Sequence, residues 1–86
     1  MANFEYLWTG DEDGNIQHIA EHGLTPDDFE FVFENFEEET ISNASGLPVR
    51  FGYTEDLRFI LIGFEWIEKD LVVLPITAYE VPERNG

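Results

Sequence analysis

Hydrophobic residues recur at helical spacing in the first half of the chain. The i, i+3, i+4, i+7 pattern of a helix with one buried face is followed by Phe29, Val32, Phe33 and Phe36. Thr25 is a suitable N-cap for this helix, and Pro26 suits its first position. Acidic residues at positions 27 and 28 favour the positive end of the helix dipole. The pattern therefore predicts a capped helix that starts after Thr25.

A shorter helix is predicted just before it. Three apolar residues fall on one helical face, namely Ile16, Ile19 and Ala20. Asp11 or Asp13 can cap its start, since a carboxylate there accepts a bond from a free backbone N–H. Gly23 stands where a left-handed residue ends a helix. The sequence thus indicates two consecutive helices joined by a sharp turn.

The remaining apolar pattern alternates with a period of two, which is typical of strands. Strands are predicted over residues 4–8, 40–43, 49–53, 58–66 and 71–81. In the strand over 58–66, Ile60, Ile62, Phe64 and Trp66 share one face, and Phe59 and Leu61 share the other. The acidic run 37–39 is predicted to be solvated, and Pro75 to mark an edge strand or a bulge. We expect one α+β domain over residues 1–86, with two helices on one antiparallel sheet in the order β-α-α-β-β-β-β.

Charge changes the picture of possible partners. The chain has 19 acidic and four basic residues, so its formal net charge is −15, yet 15% of it is aromatic. Aromatic content at this level favours a folded core over a disordered acidic tail. A basic partner or a divalent cation is favoured, whereas nucleic acid is disfavoured because phosphate binding depends on Lys and Arg. Those residues are Arg50, Arg58, Lys69 and Arg84.

Composition also bears on compartment and cofactors. The chain contains no cysteine, which excludes thiolate metal sites and fits a reducing compartment. No signal sequence and no apolar run long enough for a membrane span are visible, so we expect a cytoplasmic protein. His18 and His22 have the i, i+4 spacing of metal ligands, but no third histidine follows, and side-chain packing at the helix end explains them better. We therefore predict no metal and no cofactor.

One polar set has the chemistry to hold a phosphodiester. It consists of Arg50, Tyr53, Arg58 and Tyr79, with His22 or His18 as acid or base. Arginine and tyrosine stabilise developing negative charge, and histidine transfers protons near neutral pH. The alternative is that both arginines neutralise neighbouring carboxylates, and that both tyrosines are aromatic residues at the margin of the core.

The order of elements and several short motifs resemble the BrnT group of toxins from bacterial type II toxin–antitoxin pairs. The motifs are EHGLTPDDF at residues 21–29, SGLP at 45–48, GYTEDLR at 52–58 and ITAYEVP at 76–82. The resemblance implies a RelE-like ribonuclease fold, cleavage of RNA and neutralisation by a cognate antitoxin. It assigns His22 to the family's helix-end histidine and Arg58 to an arginine at the start of the central strand.

The chain departs from that family where RNA would be bound. Members carry two basic residues at the end of the last strand, and this chain has Tyr79 and Glu80 there; Asn43 and Leu47 likewise stand where relatives often place arginine. These differences favour a divergent, non-catalytic toxin-like domain that binds a basic protein, such as an antitoxin. Two alternatives stay open: an active ribonuclease that uses His22, Arg50, Arg58, Tyr53 and Tyr79, and an unrelated small acidic domain.

Overall fold

The computed structural model describes residues 3–83, and Arg84 lies outside them. Two helices and five strands follow one another as β1 (Glu5–Tyr6), α1 (Asn15–Ala20), α2 (Pro26–Glu34), β2 (Glu38–Ile41), β3 (Pro48–Tyr53), β4 (Phe59–Glu68) and β5 (Val72–Glu80). The α+β class and the element order agree with the sequence-based prediction.

The five strands form one sheet in the order β1-β5-β4-β3-β2. Strands β2 to β5 form an antiparallel meander, as expected from their short connections. Strand β1 differs, because it pairs with β5 in parallel, with Tyr6 opposite Val73. The sheet is therefore mixed and not wholly antiparallel, because the chain passes through both helices before the meander returns to β1.

Helix α2 begins as its sequence predicts. The Thr25 hydroxyl accepts a bond from the Asp28 N–H at 3.2 Å, and the Asp28 carboxylate accepts one from the Thr25 N–H at 3.0 Å. This reciprocal capping box satisfies two N–H groups that would otherwise lack partners. Before it, Gly23 has a φ of 77°, the left-handed conformation that ends the preceding helical segment. The turn between the helices thus needs glycine.

The start of α1 corrects one prediction. Its N-cap is Gly14, which makes no side-chain capping bond, so neither Asp11 nor Asp13 caps the helix. A Cβ at Gly14 would lie 2.5 Å from the Thr9 Oγ1 atom, and this close approach explains the glycine. The Asn15 side chain fixes the helix start, because it donates to the carbonyl oxygens of Leu7 and Pro75, each at 2.9 Å.

The core lies between α2 and one face of the sheet. Its fully buried side chains include Phe29, Val32, Phe33, Ile60, Ile62 and Phe64. The stripe predicted on α2 is therefore buried except at Phe36, which follows the end of the helix and is 40% exposed. A Cβ at Gly52 would lie 3.1 Å from the Val32 Cγ1 atom and 3.3 Å from the Phe36 Cα atom. Glycine at this position lets α2 approach β3 closely.

One strand prediction shifts and another is confirmed. The strand predicted over residues 40–43 starts two residues earlier, within the acidic run expected to be solvated, because β2 begins at Glu38 and ends at Ile41. Its pairing with β3 supplies backbone bonds that outweigh the poor strand propensity of glutamate. Pro75 lies at a register shift, since Gly63 pairs with Thr77 and Phe64 pairs with Pro75. The predicted bulge is thus present, within a strand that has neighbours on both sides at different points along it.

Among residues 3–83, neither helix has the length and apolar character that crossing a membrane would require.

Candidate functional site

Arg58 joins the β3–β4 turn to the junction between the helices. Its Nη1 atom donates to the Gly23 carbonyl oxygen at 2.9 Å, and its Nη2 atom donates to the Asp28 carboxylate at 3.1 Å. Its Nε atom donates to the Asp56 carboxylate at 3.0 Å. The guanidinium therefore satisfies a carbonyl at the end of one helix and a capping carboxylate at the start of the next, which are structural contacts.

The turn that carries Arg58 is held by a buried hydroxyl. The Thr54 side chain is 1% exposed, and its hydroxyl binds the Asp56 carboxylate and accepts a bond from the Arg58 N–H at 3.0 Å. The bond from Thr54 and then the bond from Arg58 lower the pKa of Asp56. The Asp56 carboxylate in turn raises the pKa of Arg58. Opposite charges thus stabilise each other across this turn.

Arg50 has a comparable role at the other end of α2. Its Nη1 atom donates to the Phe33 carbonyl oxygen at 2.8 Å, and its Nε atom donates to the Glu39 carboxylate at 2.8 Å. The guanidinium carbon lies 4.3 Å from the centre of the Phe33 ring and 4.2 Å from that of Phe36. A carbonyl at a helix C-terminus and two aromatic faces are favourable surroundings for arginine. Arg50 therefore covers the C-terminal end of α2.

The two arginines are separated along the sheet. Arg58 contacts Asp28 in the first turn of α2, whereas Arg50 contacts Phe33 near its end. Arg50 lies opposite Ile62 of β4, and Arg58 precedes Ile62 by four residues, which is about 13 Å at roughly 3.3 Å per residue. The structure thus does not bring Arg50 and Arg58 into one phosphate-binding cleft. Both side chains lie on the side of the sheet that packs against α2.

The histidines lie with Tyr79 beside β5. The rings of His22 and Tyr79 have centres 6.0 Å apart, and those of His18 and His22 have centres 5.8 Å apart. The His18 Nε2 atom lies 3.1 Å from the Thr77 Oγ1 atom. Of the five residues in the predicted site, His22 and Tyr79 are therefore adjacent. Tyr53 lies on β3, where its ring centre is 4.9 Å from that of Phe59.

The sheet face opposite α2 carries a separate set of side chains, which we call the aromatic face. Residues paired across neighbouring strands share a face, and the register places Tyr53 beside Phe59, and Phe51, Leu61 and Tyr79 in the next row. A third row contains Val49, Gly63 and Thr77. The rings of Phe51 and Phe59 are stacked, with centres 6.3 Å apart. Helix α1 runs along the β5 side of this face, through the contact between His18 and Thr77.

Solvent exposure differs across the aromatic face: the row that contains Val49 is closely packed, whereas Tyr79 at the margin is exposed. Val49 is 5% exposed, whereas Tyr79 is 38% exposed. A Cβ at Gly63 would lie 3.1 Å from the Thr77 Cγ2 atom and 3.7 Å from the Val49 Cγ1 atom. Because Gly63 has no side chain, the side chains of Thr77 and Val49 pack directly against the backbone of β4.

Negative charge surrounds Tyr53 on the aromatic face. Burial raises the pKa of Tyr53, and so do the carboxylates of Glu83, to which its phenol is hydrogen-bonded, and Glu37. A second phenol next to a carboxylate lies on the side of the sheet that packs against α2, where the Tyr6 phenol donates to the Glu34 carboxylate at 2.7 Å. Burial and that bond raise the pKa of Tyr6 well above its usual range. Carboxylates thus dominate the surroundings of both phenols.

One cleft lies away from the predicted arginine set. It has a volume of about 330 Å³ and is lined by residues at the start of α1 and by β5, among them Asp13, Asn15, His18 and Pro75. Its wall contains carboxylate, amide and imidazole groups. Across residues 3–83, no three His, Asp or Glu side chains are grouped closely enough to hold a metal ion.

Sequence reasoning missed the structural network around Arg58 and the extent of the aromatic face. A Thr-x-Asp-x-Arg spacing at residues 54–58 was available as a signal, but the partners Gly23 and Asp28 are distant in sequence. The alternation along β4 did place Phe59 and Leu61 opposite the core residues. It left open which residues of β3 and β5 lie beside them.

Comparison with known proteins identifies no relative of this chain. No protein-family model matches the sequence, and neither a curated protein nor a solved structure resembles it significantly.

Proposed function

We propose that this chain is a non-catalytic, toxin-like α+β domain that binds a basic protein partner, such as a cognate antitoxin. The observation that carries the proposal is the engagement of both described arginines in structural contacts. Arg58 is bonded to Gly23, Asp28 and Asp56, and Arg50 is bonded to Phe33. A phosphodiester would have to displace these partners before either guanidinium could bind it.

Net charge supports the same proposal. A formal charge of −15 on 86 residues attracts cationic proteins and accelerates their association at low ionic strength. The same charge repels a nucleic-acid backbone, whose affinity depends on contacts from Lys and Arg. A basic protein is therefore the partner that long-range electrostatics favour.

The proposal is tested by capture from the source organism with the purified full chain immobilised. We expect a basic protein to be retained at about 50 mM salt and released at several hundred millimolar, because exposed charges are screened over about 10 Å at 0.1 M. The captured protein is then produced separately and titrated against the chain by calorimetry. An unrelated protein of similar negative charge serves as the control. Retention equal to that control, or no retention at low salt, would refute the proposal.

The second candidate function is a toxin-type ribonuclease, which one observation favours. His22 and Tyr79 are adjacent, with ring centres 6.0 Å apart, and such a pair can transfer a proton and orient a substrate. Incubation of the purified chain with labelled RNA at low salt tests this candidate. Cleavage that is abolished in His22→Ala and retained in His18→Ala would favour it over the non-catalytic proposal.

A further inference from the structure

We propose that the aromatic face is the docking surface for one amphipathic, basic helix of the partner. The inference rests on the proposed function and adds to it a site and the chemistry of the occupant. Three features of the aromatic face lead to it: its apolar and aromatic rows, its dimensions, and the distribution of charge around it.

The apolar rows lie on the side of the sheet away from α2. They bring Tyr53 and Phe59 together in one row, and Phe51, Leu61 and Tyr79 in the next. Tyr79 at the margin is 38% exposed, and Tyr53, Phe59 and Leu61 are half-buried. Each large side chain that is further buried by a partner contributes to binding in proportion to the apolar area removed from water. Aromatic side chains are also enriched where partners dock.

The dimensions of this surface match one helix. The rows span three strands, β3, β4 and β5, and two strand spacings of about 4.8 Å give a width of about 10 Å. The five residues from Val49 to Tyr53 extend the surface by about 13 Å along β3 at roughly 3.3 Å per residue. An α-helix with its side chains has a diameter of about 10–12 Å. A helix of about three turns therefore covers the surface.

The charged residues around the aromatic face favour a basic helix as its occupant. Glu83 and Glu37 lie beside Tyr53, and Glu65 lies opposite Leu74 one row beyond Thr77. Arg50 and Arg58 contact residues on the α2 side. Lysine or arginine residues that flank the apolar stripe of a partner helix would thus meet carboxylates at both ends of the aromatic face.

A second copy of the chain and a strand of RNA fit this charge less well. Two copies would bring a formal charge of −15 against another of −15, which opposes association. Single-stranded RNA can stack its bases on aromatic side chains of a sheet. Its phosphates would, however, approach the carboxylates of Glu37 and Glu83. RNA binding at this face is therefore an outcome that would overturn the inference.

The test uses a defined probe and the full chain. The probe is a fluorescein-labelled 14-residue peptide of Leu and Lys, with Leu at i, i+3, i+4 and i+7. A scrambled peptide of identical composition lacks the apolar stripe. Anisotropy titrations are expected to show at least tenfold tighter binding of the striped peptide. Amide chemical-shift changes in the labelled chain are expected to map to β3, β4 and β5.

Two variants locate the site. The double variant Leu61→Thr/Tyr79→Thr removes apolar contacts from the aromatic face, and threonine retains the β propensity that the strands need. The matched control is Ile41→Thr, since Ile41 is a 58% exposed strand residue whose register position alternates to the opposite face. We expect the double variant to lose at least tenfold in affinity for the striped peptide, and the control to bind as the wild type does. If the double variant fails to fold, Tyr79→Thr alone provides the comparison.

The outcomes separate this inference from the proposed function. Equal binding of both peptides, or unchanged binding by the folded double variant, would overturn the docking site while leaving a basic partner supported. Shift changes confined to α1 or to the β4–β5 turn would also overturn it. Binding of neither peptide, together with no captured basic protein, would overturn both. Displacement of the striped peptide by oligouridine would identify the aromatic face as an RNA surface.

Discussion

Replacement of Arg58 by alanine distinguishes a structural arginine from a catalytic one. The substitution leaves the Gly23 carbonyl and the Asp28 carboxylate without the guanidinium that bonds them at 2.9 and 3.1 Å. It also removes one of the two side-chain partners of Asp56 in the β3–β4 turn, leaving the Thr54 hydroxyl. We expect loss of folding stability, because one side chain bonds the β3–β4 turn to the junction between the helices, 30 and 35 residues away in the chain.

The expected loss of stability follows from the solvent exposure of the Arg58–Asp28 ion pair. Hydrogen bonds to charged groups contribute about 1.5–3 kcal/mol, whereas exposed ion pairs contribute about 0.2–1 kcal/mol. The Arg58 and Asp28 side chains are 30% and 18% exposed, so a value of about 1–2 kcal/mol lies between these limits. For a domain of this size, each kcal/mol shifts the Tm by about 4–8 °C. The Tm of the variant is thus expected to fall by about 4–16 °C.

The assay is urea unfolding followed by tryptophan fluorescence, since Trp8 and Trp66 pack against the core. Lys69→Ala removes the same unit of charge from an exposed turn and is expected to change the free energy of unfolding by less than about 0.5 kcal/mol. A double-mutant cycle with Asp28→Asn is expected to give a coupling energy above about 0.5 kcal/mol. Stability equal to that of Lys69→Ala, combined with loss of an RNA-cleaving activity, would refute the structural role.

Low pH is expected to reduce the difference in the free energy of unfolding between the wild type and Arg58→Ala. Hydrogen bonds from Thr54 and Arg58 lower the pKa of Asp56 in the folded chain below its ordinary value of 3.8. A lowered carboxylate pKa contributes stability above the unfolded value, and the contribution is lost as pH falls through the folded value. The difference in unfolding free energy is therefore expected to be constant from about pH 5 to 7 and to shrink below about pH 4.

Three further substitutions test the fold. Leu57 has a φ of 66°, so Leu57→Asn is expected to raise the free energy of unfolding by about 0.5–1 kcal/mol; a fall in Tm would contradict this reasoning. Gly52→Ala places a Cβ 3.1 Å from Val32 and is expected to cost about 1–3 kcal/mol, whereas Gly10→Ala, with open space around it, should be neutral in the same urea titration. Thr25→Ala removes the capping box of α2 and is expected to cost about 1 kcal/mol by thermal unfolding, and an unchanged Tm would rule out that role.

The sequence predicted a local structural feature correctly where the residues that determine it lie within one short segment. The cap at Thr25 and the left-handed Gly23 follow from the chemistry of neighbouring residues and are both present. The α+β order follows from periods of 3.6 and two in successive segments. The bulge beside Pro75 follows from its missing N–H. Phe36 departs from its helical pattern because the helix ends at Glu34 and the ring packs against Arg50 instead.

The sequence by itself determined the elements, the two faces of β4 and a surface charge that favours basic partners. Only the tertiary structure decided the parallel pairing of β1 with β5, the start of β2 at Glu38 within the acidic run, and the partners of both arginines. The physical reason is distance along the chain: Arg58 bonds Gly23 and Asp28, which lie 35 and 30 residues away. Capping and periodicity depend on residues within one turn or one strand, whereas ion pairs and strand pairings between distant segments form only when the chain folds.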